Sequence, residues 1–271
     1  MGGRGVLPGL VMAIALVSGA RPAAAQDLNR VHALYNEGRY AEAIDAATQA
    51  QAVPATRQAA GVALARAHLE RYRDAGDPTD VLAARAALSA VQAAALPVRG
   101  RIDYLFGLGQ ALFFENDIGA AAELFASATP QAWAVDPALG EAMADWWGSA
   151  VERQADGQPS EVRRARFLWL AERMRDELAA HPTAAAPAYW VTAALRGAGE
   201  PERAWDAAVA GWVRAPLSGV SAASLRADLD RLVLEGIIPD LAAARPQAEA
   251  AAAAAASQWR AEWTLVRQRW R

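Results

Sequence analysis

Residues 34–44 read Leu-Tyr-Asn-Glu-Gly-Arg-Tyr-Ala-Glu-Ala-Ile: the end of one helix, a turn pivoting on Gly38, and the start of another helix. The pattern returns at 195–205 around Gly199, and more loosely at 112–121, where Asn116 stands at the pivot. A helical hairpin cannot bury its apolar face alone, so repeated copies must stack. That requirement constrains the fold more than any single residue does. Alanine forms roughly a quarter of the chain, and Leu, Arg and Glu supply much of the rest, a mixture of high helix and low strand propensity. The expected class is all-α.

Prolines punctuate the pattern. Pro54, Pro97, Pro130, Pro182 and Pro216 each follow an apolar helical stretch, at intervals of 43, 33, 52 and 34 residues. These bracket the period near 34 of helix-turn-helix repeats. The two long intervals contain turn-forming clusters at 73–80 and 155–160, read as insertions between paired helices.

At these positions the chain resembles the tetratricopeptide repeat family. Its repeat has a large-then-small pair in the first helix, Gly before the turn, an aromatic or Pro two residues later, and small residues in the second helix. The first unit offers Leu34, Gly38, Tyr40, Ala43, Ala47 and Ala50. The third has Leu108, Gly109, Leu112, Ile118, Ala121, Phe125, Ala128 and Pro130, with Asn116 in place of the turn glycine. The fifth has Val191, Thr192, Leu195, Gly199, Pro201, Ala204, Ala208 and Pro216. Leu64-Ala65 and Trp147-Gly148 hold the large-small slots of two degenerate units. The resemblance covers residues 26–216 and implies a right-handed α-α superhelix of about five hairpins, with further helices at the C-terminus. An unrelated helical bundle built from the same hairpins is the competing architecture.

Residues 1–25 read as a signal peptide, with Arg4, an apolar run from Val6 to Val17, and Ala23-Ala24-Ala25 before Gln26. The apolar run is shorter than a spanning helix and contains Pro8 and Gly9, so a permanent anchor is the weaker reading. A periplasmic or secreted location is expected. The chain has no cysteine, which excludes disulfides, thiolate metal sites and a thiol nucleophile. Lysine is absent too, and the formal net charge of −3 becomes −5 once Arg4 and Arg21 leave with the leader. An acidic surface with scattered arginine is not the clustered basic face that nucleic acid requires.

Beyond Pro216, residues 217–245 are expected to cap the last repeat. Ser221 or Ser224 opens a helix ending near Gly236, and Leu225, Leu229, Leu232 and Val233 share one face. Residues 246–271 form an alanine-rich helix whose second half carries Trp259, Trp263, Val266 and Trp270 as a stripe. Such spacing suits either an anchor for a partner or a terminal cap folded onto the array. Membrane-surface binding is a weaker third reading.

In the resemblance, first helices line a concave groove. The groove candidates are His32, Tyr35, Asn36, Arg66, Glu70, Phe106, Gln110, Phe113, Asp145, Glu152, Tyr189 and Arg196, with Trp259, Trp263 and Trp270 as further partner-binding candidates. A solvated face without a ligand is the alternative for the groove set. Most other tryptophans are expected in the core. His32, His68 and His181 lie in separate units without a metal-ligand motif, and Asp228 and Asp230 read as a solvated helix face. No catalytic, cofactor or metal site is expected. The function expected is a non-enzymatic scaffold holding a protein or peptide of the cell envelope. The alternative is a hydrolase of cell-wall polymer, which needs two carboxylates converging in a cleft.

Overall fold

The computed structural model describes residues 20–244 and 249–271, whose regular elements are all helical, with no strand among them. Residues 1–19 of the expected leader, and Pro246 and Gln247 at the expected start of the last helix, lie outside the described residues. The chain divides after Ala95 into two compact units.

The first unit holds α1 (Ala20–Asn36), α2 (Tyr40–Gln51), α3 (Arg57–Ala75) and α4 (Pro78–Ser89). Each helix packs on the next, and α1 also meets α3. Its core is built mainly from small side chains: Val31, Leu34, Ala43, Ala47 and Ala67 are buried, with Tyr35 and Ile44 packed against them. Alanine lets helix axes approach closely, since no bulk intervenes.

The second unit holds three more hairpins. They are α5 (Val98–Phe114) with α6 (Ile118–Val135), α7 (Pro137–Ala155) with α8 (Ser160–Ala180), and α9 (Ala185–Gly197) with α10 (Pro201–Arg214). A 3-10 stretch at Ala215–Ser221 leads into α11 (Ala222–Leu232), a π-helical turn (Val233–Ile237), α12 (Ile238–Ala243) and α13 (Glu249–Arg269). Phe125, Met143, Trp147, Leu170, Met174 and Trp263 are among its fully buried side chains.

The repeated turn is geometrically one object. Gly38, Asn116 and Gly199 adopt left-handed φ of 72°, 69° and 73°. In all three the pivot N–H bonds the carbonyl three residues back, and the next N–H reaches five back, as in Arg39 N to Leu34 O, Asp117 N to Leu112 O and Glu200 N to Leu195 O. This is the Schellman closure of a helix. Asn116 takes the glycine role because asparagine tolerates left-handed φ, and the Arg153 guanidinium donates to its Oδ1.

The small members of the large-small pairs, Ala65, Gly109, Gly148 and Thr192, are all buried. A Cβ on Gly109 would lie 2.4 Å from the Phe125 ring, and one on Gly148 2.2 Å from Trp190. The ring occupies the space that the absent side chain leaves.

Several expectations are corrected. The first long proline interval is not a turn insertion, since α3 is 19 residues long and the α3–α4 turn consists of Gly76 and Asp77, so extra residues lengthen the helix instead. The cluster at 155–160 does form a turn, residues 156–159 between α7 and α8, with Gly157 at a left-handed φ of 71°. Asp77 accepts the Thr79 N–H and Pro78 opens α4, which makes a cap out of the supposed loop. Pro130 does not end α6 but sits inside it, and the helix runs on to Val135. Trp133 is thereby carried into the core, stacked on His181 with ring centroids 4.2 Å apart. Gly236 does not terminate α11 either. The widened π turn bonds Ile238 N to Val233 O, and the helix continues through Pro239 at the start of α12, where a residue without an N–H is tolerated.

Candidate functional site

In the first unit the structure joins three of the predicted groove residues to one another. The Tyr35 hydroxyl donates to Glu70 Oε1 at 3.3 Å, Arg66 donates to that hydroxyl at 3.2 Å, and the guanidinium lies over the Tyr35 ring. Arg73 adds an ion pair to Glu70 at 2.8 Å. Burial raises the Tyr35 pKa, with Arg66 opposing. Glu70 is buried, so its carboxylate serves this network and is not open to a partner. His32 and Asn36 are exposed on α1.

In the second unit Phe106 and Gln110 are corrected from groove to core. Both are buried, with Phe106 edge-on to Phe125 and Trp146. Phe113 is half-buried, and Trp146 stands perpendicular to it at 5.2 Å. These rings fill the space where α5, α6 and α7 meet. Phe106 and Gln110 thus lie on the face of α5 that is buried, not on an open groove face.

Asp145, Glu152 and Tyr189 do come together. They line a hollow of about 650 Å³ with Glu141 and Ser149 of α7, Trp190 of α9, and Ser224, Leu225 and Asp228 from α11. A second hollow of about 300 Å³ shares Tyr189 and Asp228 and adds Arg196, Arg231 and Glu235. The two form one groove along α7, α9 and α11. Glu141 holds its wall together: its carboxylate accepts the backbone N–H of Ala185 and of Ala186, both at 2.7 Å. Ala184 at the N-cap of α9 has no side-chain acceptor, so an anion from α7 satisfies the orphan donors there.

The groove is acidic along α7. Burial raises the Asp145 pKa, Asp228 adds to the rise, and the Trp190 Nε1–H donating at 2.9 Å opposes it. Burial likewise raises Glu152, with Asp156 adding and Arg196 opposing. Tyr189 is raised by burial and then by Glu152, Asp228 and Asp145. At the other end Arg231 pairs with Asp228 at 2.6 Å and Arg196 with Asp240 at 2.8 Å. Gly236 leaves room for that last pair, since a Cβ there would lie 2.5 Å from the Arg196 guanidinium.

The tryptophan stripe on α13 faces α10. Trp205 meets Trp259 at 4.6 Å and Trp263 at 5.8 Å, and Trp212 meets Trp263 at 5.4 Å. Trp263 is fully buried and donates to Asp230 Oδ1 at 2.7 Å, while Arg267 pairs with the same carboxylate. Trp263 is therefore corrected from partner-binding to core, because its ring and its N–H are both engaged within the fold. Trp259 is half-buried against Trp205, and Trp270 is 47% exposed. Trp169, at 45% exposure, departs from the core expectation.

Asp230 is corrected as well, since it anchors α13, whereas Asp228 keeps a solvated side chain, 46% exposed, at the edge of the groove. Sequence reasoning also missed Glu141 and Ser149. Their spacing with Asp145 and Glu152, at 141, 145, 149 and 152, marks one face of α7 and was the available signal. In comparisons with known proteins, no family model, no curated protein and no solved structure matches the chain.

Proposed function

We propose that the chain is an exported, non-enzymatic binding scaffold of the bacterial cell envelope, of tetratricopeptide-like superhelical build, holding a protein or peptide segment. The observation that carries this reading is the groove on α7, α9 and α11, with Tyr189 on its floor and carboxylates along one wall. α7 and α9 are first helices of their hairpins, the side on which the resemblance implies a ligand. The three equivalent Schellman turns support the repeat reading, and the apolar run before Ala23-Ala24-Ala25 supports export. An extended segment fits such a mixed aromatic and charged surface, with its backbone and donor side chains meeting the carboxylates.

The test compares recovery of envelope proteins by the intact chain, by an Asp145→Ala/Tyr189→Ala variant and by an Arg260→Gln control on α13. The expected result is a discrete partner retained by the control and lost by the groove variant. Equal recovery by all three would sink the groove as the binding element.

One observation favours the hydrolase alternative: Asp145 and Glu152 are two carboxyls of raised pKa in one hollow. Their placement weighs against it. Both stand on α7, along one wall of the hollow, whereas the two carboxyls of a glycoside hydrolase flank the scissile bond. Release of soluble fragments from cell-wall polymer, abolished in Asp145→Asn, would reverse the order of the two readings.

A further inference from the structure

On the face of α9 turned away from the groove, α8 and α10 both pack against α9 and leave a hollow of about 400 Å³ between them. Its floor is apolar, made by Leu178, Ala188, Val191 and Ala207. Its rim carries Arg175 from α8 and Arg203 and Arg214 from α10, with Asp206 as the single acid. The size falls within the range of small-molecule sites.

The arginines here lack the carboxylate partners that many others on the molecule have. Arg39, Arg71, Arg73, Arg99, Arg164 and Arg173 each meet a carboxylate. Among the described residues, Arg175 and Arg203 make no ion pair or hydrogen bond, and Asp206 pairs with neither of them. Arg214 is half-buried and donates only to a backbone carbonyl, that of Pro182. Burial pushes its guanidinium pKa down with no carboxylate to oppose it. Three arginines thus line a hollow with an apolar floor, and one acid balances their charge only in part.

We propose that this hollow binds a carboxylate carried on an apolar body, of the kind a medium-chain fatty acid presents. Arg175 and Arg203 take the head through their paired N–H donors, whose planar fork matches a carboxylate. Leu178, Val191 and Ala207 cover the chain, and its burial supplies the apolar part of the affinity. Asp206 disfavours a doubly charged head, which sets the carboxylate apart from phosphate. The site is independent of the groove reading, since it draws on other faces of α8, α9 and α10.

The probe is decanoate, titrated calorimetrically into the full chain below its micelle concentration, with decanol and inorganic phosphate as parallel arms. Saturable binding of one decanoate per chain is expected. Decanol, phosphate and an Arg175→Gln/Arg203→Gln variant are each expected to bind at least about tenfold more weakly, the loss of one charge-assisted contact or more. Ala210→Leu, which adds bulk at the cavity wall without changing charge, is expected to weaken decanoate as well. Glu152→Gln in the groove leaves decanoate affinity unchanged, so failure of one site is distinguishable from failure of the other. Absence of saturable binding, decanol or phosphate equal to decanoate, or full affinity in the double variant with a native circular dichroism spectrum would overturn the proposal.

Discussion

At the scale of the residue, two kinds of glycine resist substitution for different reasons. Gly148 lies under the Trp190 ring, where a Cβ would come within 2.2 Å of ring atoms. Gly148→Ala gains about 1 kcal/mol of helix propensity but overpacks by about 1–3 kcal/mol, and a ring locked by its own bond to Asp145 gives way poorly. A net loss of about 1–2 kcal/mol is expected in urea unfolding. Gly38 has nothing within 4 Å of a built Cβ, but its φ is 72°. Gly38→Ala therefore loses about 1 kcal/mol through backbone strain alone, and Gly38→Asn loses less, as Asn116 demonstrates at the equivalent turn. Asp80 supplies a pH signature. It is buried between Arg71 and His68, and its pKa is lowered chiefly by the Arg71 hydrogen bonds. A folded pKa below the unfolded one gives stability that is complete above the ordinary carboxylate value of about 3.9 and is lost as pH falls through the folded value. Asp80→Asn should cost about 2 kcal/mol at pH 7, below the usual cost of breaking a buried pair because Arg71 reaches solvent. The gap between the two proteins should narrow on acidification, and a gap constant down to pH 3 would refute the assignment.

At the scale of the element, α13 closes the second unit by offering tryptophans to α10. Trp263→Ala removes a fully buried ring and strands Asp230 with Arg267 alone, a loss of about 3–5 kcal/mol. Trp270→Ala removes a ring that is 47% exposed and whose carbonyl, not its indole, receives the bonds from Trp212 and Arg226, so about 1 kcal/mol or less is expected. Thermal melts of the two variants separate the cap from a partner anchor: similar small losses in both would mean that Trp263 is not part of the core. The elements themselves were legible in the sequence, because helix pairs and turn pivots such as Gly38 and Gly199 are set by neighbours within a few residues. What each helical face meets is not local. Phe106 and Gln110 were misplaced because burial depends on where α6 and α7 arrive, and Glu141 joins Asp228 only through the packing of α7, α9 and α11. Even the proline signal failed at Pro130, where packing around Trp133 outweighs one missing hydrogen bond.

At the scale of the whole molecule, the two compact units draw on unlike materials. All ten tryptophans lie at or beyond residue 133, in the second unit, and its fully buried side chains include two of them together with Phe125, Met143 and Met174. The first unit relies on Ala43, Ala47, Ala60, Ala65, Ala67 and Ala84, with Leu69 and Leu88 as its largest fully buried side chains. Apolar burial contributes about 25 cal/mol per Å², so a core of alanine yields less per helix ordered than one of tryptophan, while the backbone entropy lost per residue is similar. The first unit should therefore unfold at lower urea or temperature than the second. The absence of tryptophan before residue 133 makes this measurable without labels. Far-ultraviolet circular dichroism follows helices in both units, whereas tryptophan fluorescence follows the second unit alone. The expected outcome is an early dichroism transition with no fluorescence counterpart, followed by one in which both signals change together. Gly38→Ala should move only the early step, and Gly148→Ala only the late one. Superimposable dichroism and fluorescence curves, shifted as a whole by either substitution, would instead mark one cooperative body, because coincidence of independent probes is the signature of two-state unfolding.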